Sequence, residues 1–237
     1  MATPAAGLDH NSLPPEEGFA MDRGTAVIVG VGPGIGLELA RAFANDGHSV
    51  AMLARNKAKL DKYATELAST GQEVRGYAAD VADPASLRAA IHSAIAELGA
   101  PDVLIYSVAV LDSDSPLGGD DGKWVTNMAI DVLGARVAAD AVLPELRDGR
   151  GTLLFAGGGY AVRPSTKFSS LSVGKAALRA YVQLLHDQLA GTGVHATSVM
   201  ITKSIGSEPR FEPATLAQAY LGLTKQPESE WQHELVY

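Results

Sequence analysis

The stretch Gly30-Val31-Gly32-Pro33-Gly34-Ile35-Gly36 puts four glycines into seven positions. It lies between the apolar run Thr25–Val29 and Leu37-Glu38-Leu39-Ala40-Arg41-Ala42-Phe43, which reads as a helix with one apolar face. A glycine-rich turn between a buried strand and a helix has a physical use. Glycine permits a tight turn and lets a phosphate approach the backbone, while the helix N-terminus offers free N–H groups and the positive end of its dipole. A simple strand-to-helix turn needs no such density of glycine. Placed near the start of a chain, this turn commits the remaining residues to an α/β sheet, provided that strands and helices go on alternating.

They do alternate. Strands are expected at 25–30, 48–54, 74–79, 101–107, 151–156 and 194–201, with a short last one at 234–237. Helices are expected at 35–46, 57–69, 84–98, 122–133, 134–147, 169–190 and 213–223. Asp83 reads as an N-cap with Pro84 in the first helical position. The fourth strand is continuously apolar, as a parallel strand covered on both faces should be. The expected fold is α/β: one Rossmann-like, doubly wound parallel sheet of about seven strands with helices on both faces. The division is a polar, Pro- and Gly-rich arm at 1–20 and one dinucleotide-binding domain at 21–237.

Charge and composition narrow the function. The formal net charge of −8 argues against a nucleic-acid or anionic-membrane partner. The absence of cysteine excludes disulfides, thiolate catalysis and thiolate-bound zinc. The six histidines are scattered, so no metal is expected. No apolar run reaches a membrane-spanning length, and the first residues lack a basic-then-apolar leader pattern. A cytoplasmic location is the default expectation.

The order and spacing of these pieces resemble the short-chain dehydrogenase/reductase (SDR) family, from about residue 24 to 237. The family's spaced glycines match Gly30, Gly34 and Gly36, and its adenine-binding acid after the third strand matches Asp80, followed by Val81. Its active-site lysine matches Lys175 in Gly174-Lys175-Ala176-Ala177-Leu178-Arg179. The resemblance implies a nicotinamide dinucleotide held by Gly30, Gly32, Gly34, Ile35, Gly36, Arg55, Asn56, Asp80, Val81, Ser107, Val108, Lys175 and Ile201. It also implies a small-molecule substrate and pairing of the helices at 122–147 and 168–190 into a homodimer or homotetramer. Arg55 stands at the end of the second strand, where an acid would bind a ribose diol and reject a phosphate. A cation there favours NADP(H), with NAD(H) the alternative.

The departures are as informative. The family's proton-transfer group is Asn, Ser, Tyr and Lys, and only Lys175 survives. The Asn position falls on Asp131, the Ser position on Gly157 or Gly158, and the Tyr position, four before the lysine, on Leu171. Divergent members carry the Tyr seven before the lysine, which here is Phe168. Spacings of four and seven share a helix face with Lys175, so geometry allowed either position, yet neither residue bears a hydroxyl. Candidate catalytic residues are therefore Lys175, Asp131 and Tyr160. Asp131 reads as a buried acid of raised pKa, as a partner for Lys175, or as a solvated or N-capping carboxylate. Tyr160 reads as a substitute hydroxyl or a pocket wall. Ser169, Ser170 and Ser172 read as capping or surface hydroxyls, and His195 as structural. The expected activity is NADP-dependent oxidoreduction of a small organic carbonyl or activated alkene from a degenerate site. The alternatives are a silent NADP(H)-binding or scaffold protein and a non-redox enzyme on the same fold.

Overall fold

The computed structural model describes residues 23–237, so the arm expected at 1–20 lies outside the described residues. Seven strands alternate with seven α-helices: β1 Thr25–Val29, α1 Ile35–Asn45, β2 Ser49–Ala54, α2 Lys57–Leu67, β3 Val74–Ala78, α3 Pro84–Leu98 and β4 Pro101–Tyr106. Then come α4 Asp121–Met128, α5 Gly134–Val142, β5 Gly151–Ala156, α6 Ser169–Gln188, β6 Val194–Met200, α7 Pro213–Leu223 and β7 Glu234–Val236. The sheet order is β3-β2-β1-β4-β5-β6-β7, and every pairing is parallel. Strand order reverses between β1 and β4. Ligands of open parallel sheets sit at such a switch point, beyond the carboxyl ends of the strands.

Alternate strand residues feed two cores. Val27, Val29, Leu53 and Leu104 pack on one face with Leu87 and Ile91 of α3, Val137 and Val142 of α5, and Leu178 and Val182 of α6. Ala26, Ile28, Met52 and Ile105 pack on the other with Leu39 and Phe43 of α1, Leu60 of α2, and Leu216 and Tyr220 of α7. The central strands are almost wholly buried because both faces are covered.

Element ends move where local chemistry overrides periodicity. β1 stops at Val29 because Gly30 turns with φ +97°. α2 gives way to a 3₁₀ turn at Ala68–Thr70 closed by Gly71 in the left-handed conformation. The helix expected to reach 147 stops at Val142 and passes into a 3₁₀ turn, Leu143–Glu145, with Pro144 near its start. The two helices expected at 122–133 and 134–147 are one continuous run through a π-helical turn, Ala129–Leu133. No described helix is long and apolar enough to cross a membrane.

Candidate functional site

The turn after β1 is held from beneath. The Gly30 and Val31 N–H groups both donate to the Leu53 carbonyl of β2, at 2.9 and 3.1 Å. A Cβ on Gly30 would run into the Ser107 carbonyl just past β4, and a Cβ on Gly36 would meet the Gly30 oxygen at 2.8 Å. These two glycines let strand, turn and helix touch. Gly32 and Gly34 differ, because a Cβ on either would meet nothing within 4 Å. They form the open lip of the turn. The first backbone bonds into α1 begin at Leu37 and Glu38, which donate to Gly32 and Gly34, and no side chain caps the helix. The Ile35 and Gly36 N–H groups are thus left for an anion at the positive end of α1. This open, donor-rich lip fits a dinucleotide pyrophosphate.

A cavity of about 690 Å³ lies beside the ends of β2 and β4, bounded by Arg55, Ala109, Leu111, Lys123, Asn127 and Ile130. Arg55 is exposed and has no hydrogen bond or ion pair with any described residue. Asn56 behaves differently from its neighbour, since its side-chain oxygen accepts from the Lys59 N–H at 3.0 Å and caps α2. Asp80 is exposed after β3; one of its oxygens accepts from the Ala82 N–H, leaving the other open. Val81, Ser107 and Val108 are half-buried along the crevice, and Ile201 is buried past the end of β6.

At the other end of the crevice stands Lys175, only 4% exposed on α6. Its ammonium donates to the Val108 carbonyl at 2.8 Å and the Ala156 carbonyl at 2.9 Å, bridging the ends of β4 and β5. Burial lowers its pKa, and the Asp131 carboxylate pulls in the opposite direction. Asp131 is completely buried in the π-helical turn, so it is not a solvated carboxylate. Neither of its side-chain oxygens has a hydrogen-bond partner. It fits because residue 174 is glycine: a Cβ there would lie 2.5 Å from Asp131 Oδ2. Burial pushes its carboxyl up to about 6, with Lys175 opposing the shift. No direct ion pair joins the two side chains.

The hydroxyl positions are apolar. Leu171 is buried, and Phe168 lies against Tyr160 with ring centroids 5.5 Å apart and planes tilted by 35°. Tyr160 lies in the 3₁₀ turn Gly159–Ala161 that follows β5, with its ring against Phe168. A Cβ on Gly157 would meet Met200 Sδ at 2.5 Å, whereas one on Gly158 would enter open space. The serines at the head of α6 are buried rather than on the surface. Ser172 Oγ donates to the Phe168 carbonyl, and Ser170 Oγ accepts from the Asn127 side-chain amide at 2.7 Å. His195 is fully buried, stacks on Trp231 at 4.9 Å and bonds the Gln232 carbonyl, a structural role. No group of three or more described His, Asp or Glu side chains is placed to hold a metal ion.

The short chain dehydrogenase profile matches residues 24–203. The chain belongs to the short chain dehydrogenase family. It is 32% identical to a galactitol 2-dehydrogenase (L-tagatose-forming) of Cereibacter sphaeroides over 185 residues, 76% of this chain and 71% of that one. A short-chain dehydrogenase structure from Rhodopseudomonas palustris superposes with TM-score 0.78 at 26% identity, covering 90% of this chain and 97% of that one. The L-sorbose reductase of Gluconobacter frateurii, solved with NADPH and L-sorbose, superposes with TM-score 0.81 at 23% identity, covering 92% and 96%. Two residues of this SDR site, Asn127 and Asp114, were not singled out by sequence. Asn127 had a weak signal, lying one helical turn before Asp131; Asp114 had none, because its partners are 55 and 56 residues away.

Proposed function

We propose that this SDR chain is an NADP(H)-dependent oxidoreductase acting on a small organic carbonyl or activated alkene. The observation that carries the reading is Lys175, a buried ammonium clamped to two strand-end carbonyls, with the unpartnered Asp131 carboxyl behind it. The open lip at Gly32 and Gly34 and the free N–H groups of Ile35 and Gly36 would hold the pyrophosphate. Arg55 would pair with the 2′-phosphate of a bound NADP(H), and the open oxygen of Asp80 would accept from its adenine amine. A bound nicotinamide supplies or accepts the hydride. With its carboxyl raised to about 6, Asp131 is largely ionised at neutral pH and favours the charged form of Lys175, and the Lys175 ammonium would bring positive charge to the crevice as negative charge develops on a substrate oxygen. The similarity to a galactitol 2-dehydrogenase and to an L-sorbose reductase supports alcohol–ketone interconversion as the class of chemistry. Pairing into a homodimer or homotetramer through α4, α5 and α6 is supported by the exposed Val125, Val173 and Leu184.

A second reading has its own observation. Leu171, Phe168 and Gly158 leave the family's Tyr and Ser positions without a hydroxyl, which favours a protein that binds NADP(H) without turnover. NADPH oxidation against a panel of ketones, quinones and enoyl thioesters separates the two. Turnover that is lost in Lys175→Met and depressed in Asp131→Asn supports the enzyme. Micromolar NADPH binding with no oxidation of any substrate supports the silent binder.

A further inference from the structure

Helix α6 carries Lys175, yet it opens on Phe168, which offers no side-chain cap. Its first N–H groups are satisfied from elsewhere in the chain. Asp114, in the loop between β4 and α4, accepts from the Ser169 N–H at 2.6 Å and from the Ser170 N–H at 3.1 Å. The Asp114 N–H donates in turn to the Lys167 carbonyl at 3.0 Å. Burial pushes the Asp114 carboxyl up, but the Ser170 hydroxyl and the two N–H groups outweigh it and leave the carboxyl below its ordinary range. A carboxylate here also faces the positive end of the α6 dipole. From α4, the Asn127 amide reaches Ser170 Oγ and closes the cluster on its third side.

The same loop is fastened to α6 a second time. The Val108 carbonyl accepts from Lys175 Nζ. Five residues run between the Val108 and Asp114 fasteners, and the first four, Ala109, Val110, Leu111 and Asp112, line the cavity that faces Arg55. The cavity wall is therefore a short span of chain pinned at both ends to the helix bearing the active-site lysine.

We infer that Asp114 is a positioning residue: it couples the nucleotide cavity to the α6 helix, so that a ligand ordering residues 109–112 also fixes Lys175 in place. The coupling rests on the reading that NADP(H) occupies this cavity. Asp114 does not itself line the cavity, so an ordinary helix cap would affect stability alone. A coupling residue affects nucleotide affinity as well, because the work of ordering the wall falls on the ligand once the fastener is gone.

The experiment measures NADPH affinity by calorimetry, and Tm with and without saturating NADPH, for the full wild-type chain, Asp114→Ala and Asp114→Asn. The expected result is a loss of NADPH affinity of about 5- to 20-fold in Asp114→Ala, with a smaller NADPH-induced rise in Tm. Asp114→Asn keeps an acceptor oxygen and recovers most of both. Amide exchange at 109–112 should slow on NADPH binding in the wild type and much less in Asp114→Ala. If Asp114→Ala does not fold, Asp114→Ser, whose hydroxyl can accept one of the two N–H bonds, is read in the same way. A lowered Tm with unchanged NADPH affinity overturns the coupling and leaves Asp114 a cap. A wild-type chain that binds no nicotinamide nucleotide overturns both the coupling and the functional reading beneath it.

Discussion

The two ends of the crevice obey different rules. At the β1–β2 end, Gly30 and Gly36 stand at points of backbone contact, Gly32 and Gly34 are open, and Arg55 has no partner among the described residues. At the β5–α6 end the lysine is kept while its hydroxyl companions are not. Leu171 is buried, Phe168 is packed on Tyr160, and Gly158 faces open space. One end is constrained by backbone geometry, where substitution collides with main chain. The other was shaped by side chains, which can be exchanged while the fold stays intact. Under the proposed reading, an SDR scaffold retains its nucleotide grip while its chemistry drifts.

The harshest way to break this contrast is at the glycine turn. Gly36→Val places its side chain against the Gly30 carbonyl and Val31 backbone. NADPH binding should be lost in a titration, with stability falling by about 1–3 kcal/mol in chemical denaturation. The opposite change at the other end should add function. Leu171→Tyr with Gly158→Ser restores both hydroxyls, and ketone reduction should rise by about 10²–10⁴-fold in an NADPH oxidation assay. Crowding at the buried position 171 should cost about 1–3 kcal/mol of stability. A double variant that binds NADPH but reduces no ketone shows that more than the hydroxyl pair has been lost.

The glycine turn, the strand–helix alternation and the Asp83–Pro84 helix start were legible because each is local: a few neighbouring residues fix φ or satisfy nearby N–H groups. The other end was less so. The burial of Asp131 depends on the missing Cβ of Gly174, which lies on a different helix, and on a π-helical turn that no residue pattern announces. The α6 cap comes from Asp114, so neither residue reads as a cap beside its own neighbours. Helix α5 was expected to be too long because the apolar pattern continues past Val142, where Pro144 tightens the chain into a 3₁₀ turn.

A smaller effect sharpens the contrast by pH. Asp131 has a folded pKa of about 6, above its ordinary value of 3.8, so the folded chain holds that proton more tightly. The stability this provides is complete below about pH 4 and is lost as pH rises through 6. Asp131→Asn should flatten that fall, by roughly 1–3 kcal/mol between pH 4 and 8 in denaturation curves. Smallest is Arg55→Gln. It should weaken NADPH binding about tenfold and leave NADH binding nearly unchanged, the signature of one charge-assisted phosphate contact.

The most direct measurement is calorimetric titration of the full chain with NADPH, NADP⁺, NADH and NAD⁺. A nucleotide grip that outlived the hydroxyl pair predicts micromolar affinity, tighter for the phosphorylated pair, whether or not any substrate is turned over. No detectable binding of all four, in a folded chain, would contradict it.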